Sequence, residues 1–273
     1  MKRKTYELIG NIILVLIMVL VLFPLVWLFV SSFKTDADAI KWPPRFFPSV
    51  WTLAQYEYVA KAIPIFRMLL NTIIFAGSVT VISLIIDSLA AYAFARMRFR
   101  GKKLIFGIIL LTMMIPFQVI MIPLYLEEYK MGILNSLPGL ILPRASSAYG
   151  IFMLTSFFTG IPRSLDEAAR IDGMKERGIY LKIILPLSKP AMVTLGIYHF
   201  MNNWNDLLYP MMLTSSTEMR TLSAGLATLV GSHSIKYGPT LAATAISVTP
   251  LLLLFFFGQK FFIEGIATSG MKE

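Results

Sequence analysis

Cysteine is absent from this sequence, which excludes disulfides, thiolate metal sites and a cysteine nucleophile and leaves the redox compartment open. Histidine is scarce: His199 and His233 are the two, and their separation fits no metal-ligand spacing. Charge is scarce as well. Asp, Glu, Lys and Arg make up 15% of the chain, against roughly 25% in an ordinary soluble domain. No Gly-x-x-x-x-Gly-Lys-[Ser/Thr] loop is present, since Gly101-Lys102 lacks both the upstream glycine and the following hydroxyl. The chain is therefore not expected to bind and split ATP in the usual way. It also lacks a His/Glu metal motif and a nucleophile–base arrangement, which argues against a membrane-embedded enzyme.

What is present is apolar. Hydrophobic residues make up 56% of the 273 positions, and the mean hydropathy is +0.70. Six stretches stand out as candidate spans, at residues 9–31, 69–95, 104–126, 140–158, 191–213 and 241–262. No remaining segment is long and polar enough for a separate soluble domain. The expected fold is all-α: a polytopic membrane helix bundle of about six spans, forming one domain over residues 1–273. Met1-Lys2-Arg3-Lys4 ahead of the first run invites a signal-peptide reading. The run is as long as a full span and lacks a small-residue cleavage site, so a retained first helix is expected. Pro24, Pro116, Pro123, Pro143, Pro210 and Pro250 fall inside the spans and predict kinks whose freed carbonyls need partners.

The net charge of +10 does not point to nucleic acid, because the basic residues lie between spans rather than on one face. One side collects Lys2, Arg3 and Lys4, the run Arg96, Arg98, Arg100, Lys102 and Lys103, six more between Arg163 and Lys189, and Lys260 and Lys272. The opposite side holds nine, including Lys34, Arg45, Arg144 and Lys236. The richer side is expected to be cytoplasmic, with both termini on it and residues 32–68 forming an extracytoplasmic loop. The run from Arg96 to Lys103 reads as a headgroup anchor and topology signal.

The cytoplasmic segment 161–190 is too polar to span and too patterned for a plain linker. Ser164 reads as an N-cap, with Glu167 completing a capping box. Leu165, Ala168, Ala169 and Asp172 share one face by helical spacing. Asp166 and Arg170 are placed to pair at i, i+4, and Gly173 to stop the helix at C′. A second helical run over 175–185 leads to Pro186. Small side chains at Ala168 and Ala169 let a partner approach closely, although alanine's helix propensity also explains them.

Glu167-Ala168-Ala169, Gly173 and, after nine intervening residues, Ile183-Ile184-Leu185-Pro186 resemble the EAA motif of permease subunits in ATP-binding-cassette importers. Ala90-Ala91-Tyr92-Ala93-Phe94-Ala95-Arg96, Asn203-Trp204-Asn205-Asp206 and the string Gly258-Gln259-Lys260-Phe261-Phe262-Ile263-Glu264-Gly265 are similar to its carbohydrate branch, nearest the smaller permease of maltose-type importers. Asp87 departs from that pattern. The resemblance implies a non-enzymatic permease in a bacterial or archaeal inner membrane, forming half of a sugar translocation path. It implies a second permease subunit, a cytoplasmic ATPase dimer that binds ATP and Mg, and an extracytoplasmic sugar-binding protein, with no cofactor in this chain. The motif would be a coupling helix seated in the ATPase, with Glu167, Ala168, Ala169 and Gly173 as the seat and Asp172 close by.

Span five carries Asn202, Asn203, Trp204, Asn205 and Asp206, with His199 one turn earlier. Intramembrane polar groups face an interior or a watery cavity, and amides beside aromatics suit a sugar's hydroxyls and apolar ring face. The same side chains equally suit bonding between helices, and both readings stand. Asp87 reads as a structural partner within span two. A secondary transporter or channel using Asp87 and the span-five cluster is the alternative, but it leaves the patterned cytoplasmic segment without a purpose.

Overall fold

The computed structural model describes residues 2–231 and 236–270, with side chains described over 8–229 and 236–256. His233, Lys272 and the side chains of Lys2, Arg3, Lys4 and the 258–265 string lie outside the described residues. Among the described residues every regular element is helical. All six apolar stretches fold as helix, but only three do so without interruption. These lie in α1 (Lys2–Ser31), α4 (Ile65–Arg96) and α15 (Tyr237–Gly270). Each is long and apolar enough to cross a membrane.

The other three are broken, each for a local reason. The third stretch forms α5 (Lys102–Thr112) and α6 (Phe117–Met131), bent by 98°. Pro116 has no N–H to continue α5 and pushes the residue before it out of helical geometry. The fourth runs through α7 (Leu137–Ile141), a single 3₁₀ turn (Leu142–Arg144) holding Pro143, and α8 (Ala148–Gly160). The fifth ends as α12 (Lys189–Trp204) and resumes as α13 (Leu208–Leu213). At that end Asn203 and Asn205 turn their amides back onto the carbonyls of His199 and Met201, at 2.7 and 2.9 Å, bonding that competes with helix continuation. Pro24, Pro123 and Pro250, by contrast, lie inside continuous helices. Shorter elements complete the order: α2 (Asp36–Ala39), α3 (Ala54–Ala62), α9 (Arg163–Ile171), α10 (Glu176–Ile179), a π turn (Tyr180–Ile184), α11 (Leu185–Leu187) and α14 (Leu222–Gly231).

The chain divides into two compact units. The first is Met1–Phe66 with Gly225–Leu252. Its α1 exposes apolar side chains on every side from Leu8 to Phe23, as a helix bathed in lipid does. Residues 32–68 are tied down by Ser32–Tyr56 at 2.6 Å and by Lys34, which donates to the Arg45 carbonyl at 2.6 Å beneath the Trp27 ring. Asp38 accepts both the backbone N–H and the hydroxyl of Ser49.

The second unit is Arg67–Ala224 with Leu253–Glu273, and α4 is its spine. Toward its C-terminus, Ala91, Tyr92 and Ala95 pack with Leu154 and Phe158 of α8, Ala169 of α9 and Ile179, Ile184 and Leu195. Nearer its start, Phe75 and Val79 pack with Leu140, Tyr209 and Leu213. Small residues at 91 and 95 let α8 and the 161–190 segment approach α4 closely.

Candidate functional site

The 161–190 segment opens with α9, and its start differs from expectation. Pro162, at φ −56° and ψ 131°, occupies the N-cap and no side chain caps the helix. The Ser164–Glu167 capping box therefore does not form, because proline's fixed φ turns the chain into the helix two residues early. The C-terminal end follows expectation. Gly173 sits at φ +78°, its N–H donates to Arg170 O, and Met174 N–H donates to Ala169 O at 2.9 Å. This is a Schellman ending, and a side chain at that φ is strained.

The expected common face of Leu165, Ala168, Ala169 and Asp172 is split, because the step of about 100° between neighbours turns Ala169 into the core and leaves Ala168 outside. Asp166 and Ala169 are buried, at 3% and 4% exposure. Glu167, Ala168, Asp172 and Gly173 are exposed, as are Leu165 and Ile171, the latter at 86%. The outward face is thus Glu167, Ala168, Ile171 and Asp172, and Ala169 is part of the helix's root in the core.

The expected Asp166–Arg170 pair does not form. Asp166 points inward, where Arg96 Nη1 lies 3.4 Å from Asp166 Oδ2, both side chains being almost wholly buried. Arg96 also donates from Nη2 to the Ile161 carbonyl at 2.8 Å. The headgroup-anchor reading of this residue is therefore corrected: the charge at the end of α4 turns back under the loop. Arg170 instead holds Glu176 Oε1 through two nitrogens, at 2.8 and 3.1 Å. Tyr92 donates its hydroxyl to Glu176 Oε2 at 2.6 Å, and one turn earlier Ser88 and Tyr180 share a 2.7 Å hydroxyl contact. A cleft of about 330 Å³ beside α9 is lined by Arg96, Arg98, Arg163, Glu167 and Arg170.

A second polar assembly surrounds the α12–α13 break. Asn202, Asn205 and Asp206 line an open cleft of about 640 Å³ with Phe117, Gln118, Arg144 and Tyr198. Asn203 and Trp204 are buried behind it, at 3% and 1% exposure. Arg144 joins the two rows, donating from Nη1 to Asn203 Oδ1 at 3.0 Å and pairing through Nη2 with Asp206. Its guanidinium lies 4.1 Å from the Tyr209 ring centroid, a cation–π distance. Asp206 Oδ1 in turn accepts the Tyr209 backbone N–H, a donor otherwise orphaned at the start of α13.

Asp87 is wholly buried. Its Oδ1 accepts the Ser146 hydroxyl at 2.7 Å and the Ser147 N–H at 2.9 Å, bracing the chain where α8 begins. Its Oδ2 lies 3.4 Å from His199 Nε2 of α12. Gly150 passes so close that a Cβ there would collide with the Asp87 carboxylate and sit 3.1 Å from His199 Nε2.

Arg144, Tyr92, Glu176 and Ser88 were not singled out by sequence reasoning. Arg144 carried a usable signal, being a lone cation inside an apolar stretch that calls for a partner such as Asp206. The grip on Glu176 carried none, because a tyrosine and a serine in an apolar helix read as ordinary.

Against known proteins, residues 86–267 match the family model "Binding-protein-dependent transport system inner membrane component". Over the whole length of both chains this one is 32% identical to the arabinooligosaccharides transport system permease protein AraQ of Halalkalibacterium halodurans. It is 30% identical to the sn-glycerol-3-phosphate transport system permease protein UgpE of Yersinia pestis, over 98% of each. Among solved structures, a chain of a bacterial ABC transporter that imports the acidic polysaccharide alginate superposes with a TM-score of 0.82 at 25% identity, covering 95% of this chain and 97% of that one. A match across two-thirds of the sequence, with full-length relatives at this level of identity, decides the assignment: the chain belongs to the family of inner membrane components of binding-protein-dependent transport systems.

Proposed function

We propose that this permease forms half of a sugar translocation path and is driven through α9 by a cytoplasmic ATPase dimer. The observation that carries the reading is the build of α9. Its root, Asp166 and Ala169, is buried in the unit, while Glu167, Ala168, Ile171 and Asp172 face outward around an isoleucine that is 86% exposed. An apolar knob ringed by short side chains on a polar loop suits a protein partner better than water. In this reading Glu167, Ala168, Asp172 and Gly173 form the seat, and Ala169, expected as part of it, is buried and holds it in place.

ATP and Mg belong on the ATPase, and this chain is a transport component rather than an enzyme. To take a two-state permease from 1:99 to 99:1, the nucleotide-bound ATPase must favour one state by about 5.5 kcal/mol, which requires a tight seat. A second permease subunit completes the path, and an extracytoplasmic sugar-binding protein delivers the cargo. The lysine and arginine distribution supports both termini lying in the cytoplasm.

The cleft at the α12–α13 break is this chain's share of the path. Tyr198 and Phe117 offer ring faces, Asn202 and Asn205 offer donors and acceptors, and Asp206 is held ready by Arg144. Asn203 and Trp204 support that wall from behind. A sugar is the cargo that uses both kinds of contact, in keeping with the arabinooligosaccharides and the alginate named for two of the proteins above. Asp87 serves as a brace between α4, α8 and α12, its Oδ1 accepting from Ser146 and Ser147 where α8 begins and its Oδ2 lying beside His199 of α12.

The test is uptake of labelled oligosaccharide into proteoliposomes holding the assembled complex. ATP on the cytoplasmic face should be required, and collapsing the proton gradient should leave uptake intact. Uptake that ignores ATP and follows the gradient would overturn the proposal.

A further inference from the structure

Three side chains on one stripe of α4 hold the 161–190 segment at three successive points. Ser88, Tyr92 and Arg96 are spaced i, i+4, i+8, so they stack along about 12 Å of one helix face. Ser88 meets the Tyr180 hydroxyl, Tyr92 the Glu176 carboxylate, and Arg96 both the Asp166 carboxylate and the Ile161 carbonyl. The middle contact is doubled, because Glu176 is also held by Arg170 from the last turn of α9. Both ends of α9 are thereby fastened to α4: its first turn through Asp166 and its last through Arg170 and Glu176.

We infer that this stripe makes α4 the lever of the coupling step. Ser88, Tyr92 and Arg96 act as positioning residues that turn displacement of α9 into displacement of the span. The inference rests on the coupling role proposed above for α9, and it adds which span is driven and by which groups. Apolar packing alone, as at Ala91, Ala95 and Ala169, permits one surface to slide over another. Directional bonds to charged groups resist sliding, because each has one favourable geometry and a low-dielectric surrounding that penalises leaving it. Two links on the stripe involve charged groups, Tyr92 to Glu176 and Arg96 to Asp166, and with the Arg170–Glu176 pair they hold both ends of α9 in register against α4. The exposed face of α9 takes no part in them, so the partner-facing and span-facing functions of the helix use different residues.

The experiment uses the full complex, reconstituted with its ATPase, and the variants Tyr92→Phe and Glu176→Gln. Tyr92→Phe removes the donating hydroxyl and keeps the ring packing, and Glu176→Gln removes the carboxylate charge with almost no change in volume. The readouts are assembled complex, ATP hydrolysed, and sugar transported per ATP. In Tyr92→Phe, sugar per ATP should fall by roughly threefold to tenfold, the worth of one lost hydrogen bond. Assembly should stay at the wild-type level and hydrolysis at or above it. The double variant should be no worse than the more severe single one, since both cut the same link. An unchanged ratio in Tyr92→Phe overturns the proposal, as does a loss of uptake matched by a loss of assembled complex, which would mark a merely structural role. The wild-type complex separates the two readings: absence of ATP-driven uptake there sinks the coupling role of α9 and this inference with it, whereas a normal wild type beside an indifferent Tyr92→Phe sinks this inference alone.

Discussion

Arg144, from the turn before α8, pairs with Asp206 in the break between α12 and α13 while each keeps about a fifth of its side chain exposed, 21% and 18%. An ion pair at a cleft wall is half structure and half surface. It closes the gap left where α12 ends, yet its outer edge remains available to a third polar group. Arg144→Met leaves Asp206 and Asn203 without their donor, and Asp206→Asn leaves the guanidinium without its counter-charge. Either variant should cost about 1–3 kcal/mol in the affected step, seen as a fall of about fivefold or more in sugar uptake by complexes quantified as assembled. Uptake within twofold of wild type would remove this pair from the path.

The two alanines of α9 should respond differently to substitution. Ala168 faces outward, so Ala168→Trp should abolish co-purification of the ATPase while thermal stability of the permease stays unchanged. Ala169 lies in the core, so Ala169→Asp should lower the yield of folded protein, since an unpaired buried carboxylate is costly. Gly173→Asp acts through backbone strain at φ +78°, worth roughly 1–2 kcal/mol, and should weaken coupling with less loss of yield than Ala169→Asp. A Trp at 168 that keeps the ATPase bound counts against the outward face as the seat.

Gly150 and Gly77 make a matched pair. A Cβ at Gly150 meets Asp87 and His199, whereas one at Gly77 meets nothing within 4 Å. Gly150→Ala should destabilise the complex by about 1–3 kcal/mol, the usual cost of overpacking, and Gly77→Ala should not. The measurement is thermal unfolding in detergent. Equal melting behaviour of the two variants would show that the Asp87–His199 brace yields easily.

Outside the membrane, the Ser49 backbone N–H and then its hydroxyl hold the Asp38 carboxyl below its ordinary value of 3.8, with Lys34 and Lys41 assisting and desolvation opposing. A depressed acid contributes stability that is fully present above its unfolded pKa and is lost as pH falls through the folded one. The Asp38–Ser49 clamp should therefore hold at pH 6 and release only below about pH 3.8. Hydrogen exchange at Ser49, corrected for intrinsic rate, reports on this directly. Protection at pH 6 that survives Asp38→Ala, or that falls away while the pH is still above 3.8, contradicts the assignment.

The apolar stretches were readable because each span must satisfy its backbone internally, which forces long runs of low charge. Their breaks were half readable. Pro116 announced a discontinuity, but nothing local distinguishes it from Pro123, which lies inside α6. The loop motif located α9 and its glycine stop, since those depend on backbone geometry alone. What the sequence hid was the inward partner of each charge. Asp166 had Arg170 at ideal helical spacing, yet it turned to Arg96, 70 positions away, because burial against α4 rewards the nearest enclosed cation over a neighbour bathed in water. The span-five cluster could be named but not sorted. Which of five consecutive polar and aromatic residues line the cleft depends on where α12 stops, and there Asn203 and Asn205 bond back onto the helix while Arg144 holds Asn203 and Asp206.

At 1.5 Å per residue, the 32 residues of α4 reach about 48 Å, against a hydrocarbon layer of about 30 Å. Some 18 Å of helix must therefore tilt or extend past the acyl chains. Tyr92 and Arg96, near its C-terminal end, are enclosed by protein, so a span longer than the acyl layer can settle in lipid of different thickness without baring the groups that hold the loop.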